Sequence, residues 1–454
     1  MLPLLSSACA QYEARPVDLP AVAQSRATRI LDAPAVEAMR NRIAPDAKSP
    51  VENDRLWLLA AILSHDPKVA TARAAVATAQ AQAKAERHIV APTLTLMGEY
   101  ANDPATSSPW LIGGAIDLPL DIGGRRSARL RGADRAVAIA RYDFAEIVWS
   151  ERMAARRALV DYFIALKRIK VDEATLSLRD RQLAAVDNRL EYGDASNSER
   201  ELARLSREAA VRDLALARSQ LAQSGEALAA ILGVPATALI ERQWTWTDFD
   251  APPDALDADT AARVAAITGR ADVLKALADY DRADAAYRGE IAKQFPALTV
   301  SPGYTWERGL VKLPLSFGLA LPPLDFNRHA ITAASKVRDE AGQHLETVVS
   351  LAGSAIDTAL VERAQAIAAL KDFRNHDLPV AQAIAKRADD RLRLGDINRI
   401  EWADAQGALF DARMREIDAL ARMQTAEAML EDGLRRPLEG PEMMMTVSAL
   451  GAVR

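Results

Sequence analysis

Between Pro296 and Trp306 the chain reads PALTVSPGYTW, and apolar and polar positions alternate almost residue by residue. Leu298, Val300, Tyr304 and Trp306 fall on one side; Thr299, Ser301 and Thr305 fall on the other. A period of two is that of a β-strand. The same alternation sets Leu313, Leu315, Phe317, Leu319 and Leu321 against Pro314, Ser316, Gly318 and Ala320, and it recurs in Ile112, Gly114, Ile116, Leu118 and Leu120. Pro314 fits such a strand poorly, since proline removes a ladder donor. The runs span about 9–11 residues, the length of a transmembrane β-strand.

Around these few strands the pattern is helical for hundreds of residues. After Gly124, the stretch to Glu191 has no proline and one glycine, Gly132. At 1.5 Å per residue it predicts a helix about 100 Å long. Tyr162, Ile169, Leu176, Leu183 and Leu190 recur every seventh residue, the spacing of coiled-coil packing.

The pattern is duplicated. APTLTLMGEY (Ala91 to Tyr100) parallels FPALTVSPGY (Phe295 to Tyr304), and PLDIGGRR from Pro119 parallels PLDFNRHA from Pro323, both at an offset of 204. RLEYGDASNSERELA from Arg189 parallels RLRLGDINRIEWADA from Arg391 at an offset of 202. Each copy runs helix, strand, strand, very long helix, short break, long helix. The expected divisions are an N-terminal signal remnant and extended segment (1–50), a first repeat (51–240), a linker (241–258), a second repeat (259–436) and a C-terminal tail (437–454). Gly193 and Gly395 can take the positive φ that ends a helix, with Asp194 and Asp396 available as N-caps of the next.

Two strands per copy make four per chain, too few to close a barrel, and open sheet edges are not tolerated in lipid. Three chains giving four strands each would make an even antiparallel barrel of about 12. The fold expected is therefore mainly α with a small β part, a trimeric β-barrel continuous with a long α-helical barrel. The competing reading is a soluble helical protein with two hairpins packed on its side.

Composition narrows the function. Half of the 454 residues are hydrophobic but only 5% are aromatic, a mix that favours close helix–helix packing. A net charge of −5 with interspersed signs lacks the basic face a nucleic acid would need. Cys9 is the one cysteine, which excludes a disulfide framework and a cysteine zinc site. No run reaches the ~20 apolar residues of a transmembrane helix. The opening MLPLLSSACA resembles the end of a lipoprotein signal, with Cys9 as the lipid-bearing residue; the plainer reading is an ordinary thiol. There is no GxxxxGK[ST], GxSxG or HExxH, and the five histidines are scattered, so neither enzyme activity, a metal site nor a cofactor is expected.

The duplicated order, the prolines before the first strands and the two turn segments together resemble the TolC family of outer-membrane efflux channels, over Val51 to Arg436. PLDIGGRR and LALPPLDFNRHA are most similar to its heavy-metal (cobalt–zinc–cadmium type) resistance branch. The resemblance implies a homotrimer in the outer-membrane lipid of a Gram-negative bacterium, reaching into the periplasm. Its partners would be a periplasmic adaptor and an inner-membrane pump, of the resistance-nodulation-division type by that resemblance. The duct itself would be passive. Glu401 and Asp404, at i and i+3, map onto the family's acidic aperture; in the first repeat Glu199 matches Glu401, but Leu202 replaces the aspartate. Tyr192, Gly193 and Asp194, with Leu394, Gly395 and Asp396, map onto the adaptor-facing tips. The plainer reading of Glu401 and Asp404 is a solvated acidic face paired with Arg399 or Arg391. A multidrug or type I secretion duct of the same family, or a soluble coiled-coil scaffold, remain the alternatives, and the cargo stays open.

Overall fold

The computed structural model describes residues 12–46, 53–88, 91–100, 108–120, 122–253, 260–307 and 309–444. Cys9 lies outside the described residues, as does the end of the C-terminal tail.

Four short helices come first: α1 (Leu19–Ala27), α2 (Ala33–Ile43), α3 (Arg55–His65) and α4 (Pro67–Glu86). Strands β1 (Thr93–Tyr100) and β2 (Trp110–Leu120) follow, then α5 (Arg125–Glu191) and α6 (Asn197–Leu232). The second half gives α7 (Thr260–Gly269), α8 (Ala271–Ala292), β3 (Ala297–Glu307), β4 (Leu310–Lys312), β5 (Leu315–Ala320), α9 (Arg328–Asp372), α10 (Leu378–Leu394) and α11 (Arg399–Leu434).

Helix α5 runs unbroken for 67 residues. Its counterpart, Arg328 to Leu394, covers the same length but widens into one π turn at Phe373–Asp377. Pro379 is the cause visible in the sequence. It has no N–H, and its ring crowds the carbonyl four residues back, so the turn before it expands. The heptad positions Tyr162, Ile169, Leu176, Leu183 and Leu190 are only half-buried, and the helix contacts are filled by small residues such as Ala185, Ala210, Ala217, Ala403 and Ala412.

All strands form one antiparallel meander, with β1 beside β2, β2 beside β3, and β3 beside both β4 and β5. The sheet is open: β1 is one edge, and β4 with β5 is the other. Four strands were expected, and the fourth arrives in two pieces. Thr305 opposite Lys312 and Pro302 opposite Leu315 nonetheless keep one register, and Gly303 N donates to Pro314 O at 2.8 Å between them. Pro302 and Pro314 lack the N–H that would complete the ladder, so the pairing is interrupted without a slip.

The register sorts the side chains onto two faces. Leu96 lies opposite Gly114, Leu118 opposite Val300, and Val300 opposite Phe317. One face is therefore apolar throughout, and it is exposed: Leu96 is 75% accessible, Ile112 56% and Phe317 65%. The other face carries Thr95, Asp117, Thr299, Ser301 and Thr305. There the Asp117 carboxylate accepts from Thr95 Oγ1 at 2.7 Å and from the Ser301 hydroxyl.

The largest core lies within the first half of the chain. Leu56 to Leu63 of α3 are buried on every side, against Ala155, Ala158 and Leu159 of α5 and Leu228 and Leu232 of α6. The linker stretch is not loose: Trp244 packs on Trp57 with ring centroids 6.2 Å apart, and Phe249 is buried among Leu370, Ile417, Leu420 and Met423.

Candidate functional site at the hairpin tips

Each long helix ends on a left-handed glycine, Gly193 at φ 77° and Gly395 at φ 80°. Gly193 N donates to Leu190 O at 3.0 Å and Asp194 N to Arg189 O at 2.8 Å; Gly395 N donates to Leu392 O at 3.1 Å and Asp396 N to Arg391 O at 2.9 Å. This paired bonding is the Schellman closure, in which positive φ makes glycine the fitting residue. Tyr192 and Leu394 beside the glycines are 83% and 76% exposed. The tip residues named from the sequence thus lie together at the ends of the hairpins.

The aspartates are not the N-caps. Ser196 accepts from Glu199 N, and Asn398 accepts from Ile400 N at 2.8 Å and Glu401 N at 2.9 Å. Asn398 Nδ2 donates to Glu401 Oε1 at 2.9 Å, a side-chain bond that ties the cap to the first turn. Asp194 and Asp396 are occupied earlier, because their backbone N–H groups close the preceding helix. Replacing Asn398 by Ala should cost about 1 kcal/mol of helix stability, read as a small drop in thermal midpoint with the tip otherwise intact.

Glu401 and Asp404 are both exposed on the first turns of α11. Neither has an ion-pair partner among the described residues; Asp404 accepts one hydrogen bond, from Gln182 Nε2 of α5 at 3.3 Å. The pairing with Arg399 or Arg391 that the sequence allowed does not form. The first repeat differs: Glu199 sits 3.5 Å from Arg189, so its charge is neutralised, and Leu202 is exposed. Trp402, between the two acids, donates from Nε1 to Asp389 Oδ1 of α10 at 2.6 Å, and Gln406 Nε2 reaches the same oxygen at 2.9 Å. These bonds brace the second hairpin from within.

A second polar assembly, absent from the sequence reading, ties the ends of the chain to the helices. Arg152 and Arg156 of α5 bracket Glu431 of α11 at 2.9 and 3.1 Å. Arg152 also holds Glu442 at 2.6 Å, while Glu439 meets Arg55 at 3.1 Å and Arg156 at 3.5 Å. Three guanidinium groups balance three carboxylates. Glu431 is 0% exposed, and Arg152, Arg156 and Glu442 are nearly as deep. Burial acts against the charge of Glu442, yet Arg152 and Arg55 hold its carboxyl below the ordinary glutamate range. Arg55 and Arg156 also face the Trp246 ring, at 4.3 and 5.1 Å from its centroid. The signal in the sequence was arginine at i and i+4 on an otherwise alanine-rich face; its partners lie too far along the chain to be paired by spacing.

No cluster of three or more His, Cys, Asp or Glu placed to hold a metal occurs among the described residues. No helix among them is long and apolar enough to cross a membrane.

An exposed apolar sheet face backed by a polar one is joined to paired helices about 100 Å long, an architecture that fits a channel protein. The family model described as outer membrane efflux protein matches residues 58–234 and 263–434, once in each half of the chain. The protein belongs to that family. It is 26% identical over 330 residues to the cobalt-zinc-cadmium resistance protein CzcC of Cupriavidus metallidurans, covering 71% of this chain and 76% of the relative. Its fold is similar to the outer-membrane channel OprN, with a TM-score of 0.71 at 16% identity over 94% of this chain and 98% of the other. It is likewise similar to the open state of the Neisseria gonorrhoeae MtrE outer membrane channel, with a TM-score of 0.70 at 16% identity over 87% and 95%.

Proposed function

We propose that the protein is the outer-membrane exit duct of a tripartite efflux system that expels divalent heavy-metal cations. Family membership carries the first part, and the likeness to CzcC, whose name gives cobalt, zinc and cadmium, supports the second. Three chains join edge to edge, β1 of one against β4 and β5 of the next. This removes the open edges and gives about 12 strands. The apolar face then meets lipid, and the face bearing Asp117 lines the lumen.

The duct does no chemistry. An inner-membrane pump supplies the energy, and a periplasmic adaptor meets the exposed tips around Tyr192 and Leu394. Glu401 and Asp404, charged and unpaired, form the acidic constriction at the periplasmic end. Gly193, Asp194, Gly395 and Asp396 shape the tips, and a lipid on Cys9 adds a modest second anchor, which mass spectrometry of the mature N-terminus reads directly.

A strain lacking this protein but keeping its pump should lose tolerance to cobalt, zinc or cadmium and regain it on complementation. Unchanged tolerance to all three would remove the metal cargo. Light scattering with detergent subtraction should give three chains per particle; a stable monomer would remove the shared barrel.

A further inference from the structure

We propose that the turn joining the last strand to the second long helix, residues 321–327, is an interfacial anchor that seats in the phospholipid leaflet on the periplasmic side of the barrel. The inference rests on the outer-membrane reading above. Apolar exposure does not stop at Ala320, where the ladder ends. Leu321 is 79% exposed, Leu324 102% and Phe326 57%, continuing the lipid-facing row of Leu315, Phe317 and Leu319.

The corresponding turn of the first repeat is built the opposite way. Its two residues before the long helix are Gly123 and Gly124, both left-handed, and a Cβ at Gly123 would stand 2.9 Å from the Phe295 Cβ. That turn is pressed against the protein. In the second repeat the two left-handed positions before the helix are Phe326 at φ 52° and Asn327 at φ 60°. Left-handed backbone is costly for an L-residue, and a bulky side chain is among the least suited to it. An exposed phenyl ring in water offsets none of that cost.

The turn is also rigidly held. Gln294 Nε2 donates to Phe326 O at 3.1 Å, and Asn327 Nδ2 donates to Glu290 O at 2.9 Å and Glu290 Oε2 at 2.8 Å. Asn327 N closes on Asp325 Oδ1 at 3.1 Å. The ring is thus presented on a fixed loop. Immediately beyond it, Arg328 is exposed, and its guanidinium has no side-chain partner among the described residues; across the junction Arg126 is exposed and donates to Arg87 O at 3.2 Å. Leucine and phenylalanine at the acyl boundary with arginine at phosphate depth is the arrangement of an interfacial anchor.

The test uses the full chain in a Cys9→Ser background, with Leu324→Cys or Phe317→Cys carrying a small fluorophore. Each is reconstituted in phosphatidylethanolamine–phosphatidylglycerol vesicles whose acyl chains are brominated near the glycerol end or at mid-chain. Position 317 should be quenched by bromolipid. Position 324 should be quenched several-fold more strongly by the shallow bromolipid than by aqueous iodide. Quenching at 324 by iodide alone, or by neither agent, while 317 responds to bromolipid, overturns the anchor and leaves the barrel standing. Absence of bromolipid quenching at both positions overturns the barrel reading itself.

Discussion

Replacing Glu431 by Ala is expected to destabilise the folded protein by about 3–5 kcal/mol, because it removes one buried carboxylate and leaves three guanidinium groups, Arg55, Arg152 and Arg156, to share the two of Glu439 and Glu442. Arg152 and Arg156 both contact that carboxylate, at 2.9 and 3.1 Å, and Leu438 N donates to it at 2.9 Å. The mutation should therefore also release the C-terminal segment, seen as new protease cleavage beyond Leu434. Removing Arg152 and Glu442 together in favour of methionines should cost far less, since replacing a whole buried pair by apolar groups is often near neutral. Thermal unfolding in detergent, followed by circular dichroism, separates the two. Equal losses would show that the network acts through packing rather than charge.

The same network sets a pH dependence. Glu442 has its carboxyl held below the ordinary range by Arg152 and Arg55 despite burial. Its contribution is present above the ordinary glutamate pKa and is lost as pH falls through the depressed folded value. Thermal midpoints measured downward from neutral pH should fall across that acidic window, and Glu442→Gln should flatten this part of the slope.

The second large effect concerns conduction. Glu401→Gln with Asp404→Asn removes charge and keeps shape: glutamine preserves the bond from Asn398, and asparagine still accepts from Gln182. Around a threefold axis the change would remove about six charges. At about 10 Å in water each acts on a monovalent cation with ~0.4 kcal/mol and on a divalent one with about twice that. Screening at ~0.1 M salt leaves on the order of 1 kcal/mol and 2 kcal/mol in total. Single-channel recordings should then show a several-fold loss of cation selectivity and about a thirtyfold weaker divalent block from the periplasmic side. A double mutant that selects and blocks as wild type would place these residues outside the pore.

The strands were legible because a period of two survives in PALTVSPGYTW, and because the duplication repeats it. The glycine turns were legible because positive φ leaves few alternatives at Gly193 and Gly395. The caps were misplaced: Asp194 and Asp396 look like N-caps until their own N–H groups are seen closing the helix before, which passes the task to Ser196 and Asn398. The break of the last strand was foreshadowed by Pro314, and the π turn has its cause in Pro379. The arginine–glutamate network and the packing of Trp244 on Trp57 were hidden for one reason: both are long-range contacts, and no local pattern encodes a partner so far along the chain. Of the candidate aperture, the sequence could place the acids on one helix face. That Glu401 stays unpaired while Glu199 is neutralised by Arg189 depends on side-chain geometry alone.

The most direct test of the account is the conductance of the purified protein in a planar lipid bilayer. The account predicts discrete, long-lived, cation-selective openings from a three-chain particle, with block by divalent cations from one side. A protein that inserts and gives no conductance, including after Glu401→Gln with Asp404→Asn, would contradict the claim that it forms a water-filled duct.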